Sequence, residues 1–308
     1  MEEKLDKKLA FFEETKQMPI VLSSDEPNEE RAIPPAEFYK LFLGPQLKFT
    51  AGLWPHDSPG NLETSEEAML RAYCERAEIQ DGMKVLDLWA TFGAVSIYVA
   101  KHYPRCSVIA VTANREQTKY IQSECEKLNL SNLRVVQSSL DHFNLHIGAF
   151  RDSLQDRILI TSVSHIKNVQ LLMERVSQWL APDGIFFVHA LTHAEYCSHF
   201  DQNLEQHLFP NGTIFSQDAF IYFQNDLLLL KQWALNGVHG SRSAQSWLSK
   251  LDENQDAAIE VLKKVYAEDQ AIAVFAKWRK TLLAIEVLLN FSSHDFFISQ
   301  YIFAKRCP

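Results

Sequence analysis

The sequence predicts an α/β fold: a doubly wound, mostly parallel sheet with N-terminal helices and a C-terminal helical lid over a ligand pocket. Three observations predict it. Apolar runs of strand length alternate with single amphipathic helices from about residue 60 to 200. Turn signals such as Gln80-Asp81-Gly82 and Ala181-Pro182-Asp183-Gly184 punctuate that stretch. Beyond it the chain turns aromatic and helical before a last apolar run. Strands joined by single helices imply right-handed crossovers and parallel pairing, with ligands beyond the carboxyl ends of the strands. The expected division is a helical and aromatic cap over 1–60, a Rossmann-like core over 61–200, and a helical, substrate-binding lid over 201–308 that returns a final strand to the sheet.

The elements follow in order. MEEKLDKKLAFFEETKQ alternates charge and reads as an amphipathic helix, then SSDEPNEERAIPP forms a polar linker. LETSEEAMLRAYCERAEI is a helix, with Thr64 three before Glu67 as in a capping box. Val85–Leu88 is a strand leading to a helix over 93–102. SVIAVTA leads to the helix NREQTKYIQSECEKLN, and LRVVQSS follows as a strand. DRILITSV is a strand, KNVQLLMERVSQWL a helix and IFFVHAL a strand. DAFIYFQNDLLLLKQWAL and the long segment after it read as helical, and FFISQYIFAKR closes as a strand.

Composition narrows the function. The chain has 308 residues, 46% of them apolar, enough for one large domain with additions. Net charge is -9 with no basic block, which disfavours nucleic acid or an anionic membrane as partner. No apolar run reaches membrane-spanning length, and no signal layout opens the chain, so a cytoplasmic protein is expected. The five cysteines are scattered, which suits reduced thiols. His189, His193, Cys197 and His199 are not spaced as a helical ligand pair, so no metal is expected. Asn211-Gly212-Thr213 matches a glycosylation acceptor, without meaning in a chain that lacks a secretory signal.

Many short segments in order, among them YKLFLGPQLKF, SEEAMLRAYCERAEIQDGMKVLDL, AVTANREQ, HIKNVQLL, DGIFFVHALTH and FPNGTIFSQDAFIYFQND, give the chain its resemblance. It resembles the plant-type coclaurine N-methyltransferases, a branch of the family that includes the cyclopropane fatty acid synthases. The likeness runs over nearly everything after residue 37. It implies the S-adenosylmethionine-dependent methyltransferase fold and small benzylisoquinoline-type amines as substrates. By the same likeness Asp87, Trp89, Gly93, Thr112, Gln117 and Ser139 occupy cofactor-binding positions.

Several of those positions depart from the family. Its loop reads roughly D-x-G-C-G-W-G, and the residues here are Asp87, Leu88, Trp89, Ala90, Thr91, Phe92 and Gly93. The family's adenine-binding carboxylate is matched by Ser139. Its F-E-H-M segment and a preceding glutamate become Thr161-Ser162-Val163-Ser164-His165-Ile166, and its Y-S-S-C becomes Phe49-Thr50-Ala51-Gly52. Asp87, Thr112 and Gln117 keep the pattern. Trp89 either reshapes the cofactor cavity or sits on a detoured loop that still binds. His165 is either a base, since imidazole handles protons near neutrality, or a polar survivor held by its neighbours. Trp54, Phe223 and Trp278 are the aromatics expected to line an apolar pocket for a flat amine; the other tail aromatics read as helix packing.

Three readings follow. The leading one is a protein that has given up S-adenosylmethionine and acts on an alkaloid-like amine without methylating it, by proton-assisted cyclisation, isomerisation or elimination. The second is a working S-adenosylmethionine-dependent N-methyltransferase of alkaloid amines. The third is a non-catalytic binder, or a partner subunit paired with an active relative; a homodimer is equally open. Under the leading reading the expected cofactor is none.

Overall fold

A computed structural model describes residues 2–22, 34–55, 60–145, 153–200, 212–291 and 295–306. Asn211, Cys307 and most of the polar linker lie outside these residues. The helices are α1 (Glu2–Thr15), α2 (Ala36–Lys40), α3 (Leu62–Arg76), α4 (Ala94–His102), α5 (Arg115–Leu128) and α6 (Val169–Trp179), then α7 (Val238–Glu253), α8 (Gln255–Leu262) and α9 (Glu268–Phe291). The strands are β1 (Lys84–Asp87), β2 (Ser107–Thr112), β3 (Leu133–Gln137), β4 (Gln155–Ile160), β5 (Leu180–His193), β6 (Ser198–His199), β7 (Thr213–Ser216), β8 (Leu227–Asn236) and β9 (Phe296–Lys305).

The sheet runs β3-β2-β1-β4-β5-β7-β6, with β9 antiparallel to β5 and β8 antiparallel to β9. From β3 to β5 every pair is parallel. The expected α/β class holds, with the chain reversing its strand order between β1 and β4. Such a reversal opens a crevice at the carboxyl ends of those strands.

Both faces are covered, so the strands read as nearly continuous apolar runs. Alternation along β1 sends Leu86 into the core under α6 and Val85 into the core under α3 and α4. Asp87 follows Val85 to the α4 side, where Ser96 meets it. A third apolar cluster joins α2, the segment after it and the tail helices.

Local signals account for the helix starts. Asn114 and Asn168 cap α5 and α6 by accepting from Gln117 N and Leu171 N, each at 2.9 Å. The capping box of α3 differs from expectation. Asn61 Oδ1 accepts from Thr64 N at 2.8 Å, and Asn61 N donates to Thr64 Oγ1 at 3.3 Å. The helix starts three residues earlier than the Thr64–Glu67 spacing suggests, so Thr64 closes the box rather than opening it.

Two expectations are corrected. Residues 227–236 form a strand rather than a helix. LLLLKQWALN is rich in helix formers, but pairing along β9 from Leu227 to Asn236 outweighs that preference. Residues 181–184, read as a turn, lie within β5. No helix among the described residues is long and apolar enough to cross a membrane.

Candidate active site

The loop after β1 stands at the carboxyl end of the parallel strands. Leu88 N donates to Leu159 O and Ala90 N to Val111 O, which pins the loop to both neighbouring strands. Gly93 N then closes a tight turn on Ala90 O at 2.6 Å. Two residues of this turn are left-handed, Thr91 at φ 48° and Gly93 at φ 79°. Gly93 has a second reason to be glycine: a Cβ there would lie 2.9 Å from Ile121 Cγ1 on α5. Thr91 has no such licence. A β-branched residue in this region is strained, and persists where the surroundings over-determine it.

Trp89 is half-buried and packs against the core under α6. Its indole stacks on the His165 imidazole, with centroids 5.8 Å apart and planes 18° from parallel.

Asp87 is the buried charge of the loop. Its Oδ2 accepts from Ser96 Oγ at 2.7 Å, while Oδ1 meets no donor in hydrogen-bonding geometry. Burial pushes its carboxyl up to about 6, against the pull of the Ser96 hydroxyl and of the Trp89 and Ser96 backbone N–H groups. The carboxyl stands at the carboxyl end of a parallel strand, where ligands of such sheets bind. At the end of β2, Thr112 Oγ1 donates to Gln117 Oε1 at 2.6 Å, so the amide presents its nitrogen on the other side. Ser139 Oγ lies 2.9 Å from His142 Nδ1. No carboxylate stands at that position.

Beyond β4 and β5 lies a cavity of about 80 Å³. Phe49, Thr50 and Ala51 form one wall, Thr161 to Ser164 the next, and His189 and Leu191 of β5 the floor. Trp247 of α7 and Ile285 and Leu289 of α9 close it from the lid side. Most of this surface is apolar, with hydroxyls from Thr50, Thr161 and Ser164. A larger hollow of about 570 Å³ lies between α3 and α7. It is polar and open and does not touch the β4 loop, which lines the smaller cavity, so the smaller cavity is the better candidate.

His189 has a defined state. Arg76 donates to Gln300 Oε1, which turns Gln300 Nε2 to His189 Nδ1 at 3.2 Å. The imidazole proton therefore sits on Nε2. Burial, with Lys48 and Arg76 nearby, holds its pKa well below the usual histidine value. His189 is thus a neutral donor at the cavity floor. His189 and His193 lie four residues apart along one strand, roughly 13 Å, too far to share a metal.

The aromatics expected around the substrate are placed elsewhere. Trp54 lines the larger hollow; its indole N–H donates to Ser243 Oγ at 2.9 Å, and the Arg242 guanidinium lies over its ring. Phe223 packs against Phe12 in the core. Trp278 stands one layer behind the cavity, 5.6 Å from Phe49. His165 faces Trp89, while Thr161, Ser162, Val163 and Ser164 reach the cavity. Lys48, Thr50 and Trp247 were not singled out by the sequence as site residues. Thr50 had a signal, its place beside the lost family tyrosine; for Lys48 and Trp247 burial alone marks them.

Comparison with known proteins now bears on this site. Residues 35–281 match the mycolic acid cyclopropane synthetase family. The chain is 31% identical to the (S)-tetrahydroprotoberberine N-methyltransferase of Eschscholzia californica, over 99% of this chain and 88% of that one. It is 30% identical to the (S)-coclaurine N-methyltransferase of Thalictrum flavum subsp. glaucum, over 99% and 85%. The crystal structure of a coclaurine N-methyltransferase bound to N-methylheliamine and SAH superposes with a TM-score of 0.89 at 31% identity, covering 99% of this chain and 88% of that one. Full-length likeness to a protein crystallised with S-adenosylhomocysteine overturns the expectation of no cofactor. It favours the methylating reading over the non-methylating one.

Proposed function

The chain belongs to the mycolic acid cyclopropane synthetase family, and on that premise we propose that it is an S-adenosylmethionine-dependent N-methyltransferase of a small, alkaloid-type amine. The observation that carries this reading is the backbone of the β1–α4 loop. Thr91 and Gly93 hold left-handed conformations in the turn that follows the buried Asp87 carboxyl.

Asp87, the loop backbone over 89–93, Thr112, Gln117 and Ser139 would hold the cofactor. Bound there, S-adenosylmethionine supplies an electrophilic methyl: the amine lone pair forms the N–C bond as the C–S bond breaks and its electrons stay on sulfur. This chain's residues do the rest. Phe49, Leu191, Trp247 and Leu289 exclude water, and dry walls strengthen every polar contact inside. The hydroxyls of Thr50, Thr161 and Ser164 accept N–H bonds and orient the amine. His189, neutral and fixed by Gln300, donates to an oxygen on the substrate ring. An alkaloid needs a site of roughly 300 Å³ or more, so the lid helices α7 and α9 part to admit it. His165 keeps Trp89 against the β4 loop and so shapes the cofactor side.

Calorimetry with S-adenosylhomocysteine tests this. Saturable binding that weakens on Asp87→Asn is expected. No binding in a folded wild type would refute it.

A further inference from the structure

Lys48 is the most deeply buried lysine beside the cavity, 2% exposed, and the methyl-transfer chemistry described above does not use it. Its Nζ donates to Thr50 O at 3.1 Å, Thr50 Oγ1 at 2.6 Å and Ala51 O at 2.5 Å. Thr50 and Ala51 line the cavity and Lys48 does not. Thr50 thus belongs both to the wall of the space assigned to the substrate amine and to the cage of the Lys48 amine.

The surroundings disfavour the charged form of Lys48. Burial pulls its pKa well below the usual lysine value, with Glu66 acting the other way. The groups around it are Glu66, Tyr73 and Arg76 of α3, His189 of β5 and, acting on Glu66, Lys250 of α7. The Tyr73 ring centroid lies 5.3 Å from Nζ. Glu66 accepts from the backbone N–H groups of Gly44 and Gln46 at 3.2 and 3.3 Å, and burial raises its pKa above the usual carboxylate range. As an ammonium, Lys48 has three N–H donors facing three acceptors. As a neutral amine, it keeps two donors and turns its lone pair to the Thr50 hydroxyl. The same cage suits both states.

We propose that Thr50 Oγ1 and Lys48 Nζ form a proton path from the cavity, by which a bound ammonium substrate is converted to the free amine that attacks. This deepens the N-methyltransferase reading and rests on it. A basic amine arrives protonated and has no lone pair to offer. Its N–H proton passes to Thr50 Oγ1 as that hydroxyl's own proton passes to the lone pair of Lys48. The substrate is left neutral with its lone pair free, and Lys48 becomes the ammonium. One positive charge moves and none is created. When product leaves, the proton returns to solvent along the same path. The hydroxyls of Thr161 and Ser164 cannot hold a proton at neutral pH, and His189 is too weak a base, its Nδ1 already accepting from Gln300.

The test uses full-length protein with 13C-labelled lysine, 1,2,3,4-tetrahydroisoquinoline as the probe amine, and the variants Lys48→Met, Thr50→Val and Thr50→Ser. One lysine resonance, missing from Lys48→Met, should titrate near neutrality. Adding the probe should move it to its ammonium position in wild type and Thr50→Ser but not in Thr50→Val. With S-adenosylmethionine present, kcat for the probe should fall roughly 10²–10⁴-fold in Thr50→Val and lose its acidic limb, while Thr50→Ser restores both. Thr50→Val nearly conserves volume, so the path is tested even if Lys48→Met does not fold. A Lys48 resonance titrating with the surface lysines overturns the proposal, as does a wild-type response in Thr50→Val. If the resonance behaves as expected but no amine is methylated, the N-methyltransferase reading fails and the path stands.

Discussion

The Trp89 indole lies nearly flat on the His165 imidazole, with planes 18° from parallel and centroids 5.8 Å apart. This contact ties the cofactor loop after β1 to the loop after β4. It also answers what a tryptophan does where the family has a glycine. The side chain turns toward the core under α6 and is held there, half-buried.

If His165 holds Trp89, His165→Ala should weaken S-adenosylhomocysteine binding about fivefold, since an aromatic pair contributes about 1 kcal/mol. The kcat should change less than that, with its pH profile intact. Calorimetry and steady-state kinetics read the two apart. A hundredfold fall in kcat with loss of a pH limb would instead make His165 the base.

Thr91 and Gly93 should respond oppositely. Thr91→Gly relieves a left-handed, β-branched residue and should stabilise the protein by about 1 kcal/mol, after the entropy cost of glycine. Gly93→Ala adds a Cβ 2.9 Å from Ile121 at positive φ and should destabilise by about 2 kcal/mol. Urea denaturation midpoints at constant m decide both.

Asp87 carries a pH signature. Its carboxyl is raised from 3.8 to about 6 by burial. Between those values the folded state holds a proton that the unfolded chain has lost, so stability falls as pH rises through this window. The deficit is complete above about 6 and absent below 3.8. Asp87→Asn should lack this slope. Denaturation from pH 4 to 7 should show the wild type losing stability relative to the variant, and parallel curves would show that Asp87 is not shifted.

The alternating strands and helices were legible because hydrophobic period encodes them, and β1 to β5 lie where that period places them. The strand β8 was not, because its leucines, lysine and alanine favour a helix until β9 offers a partner. At the site, the sequence marked Asp87, Thr112 and Gln117 by motif. Thr91 takes positive φ although threonine avoids it in isolation, and the bonds of Leu88 and Ala90 to β4 and β2 fix the loop around it. Lys48 could not be read as a site residue, because its cage of Thr50 and Ala51 oxygens exists only once the chain is folded.

The central claim is methyl transfer to an amine. The direct measurement is incubation with S-adenosylmethionine labelled in its methyl group and a panel of tetrahydroisoquinoline and benzylisoquinoline amines, followed by mass spectrometry. One labelled methyl on the amine nitrogen and S-adenosylhomocysteine in equal amount are expected. Absence of label from every amine, under conditions where a coclaurine N-methyltransferase labels the same panel, would contradict it.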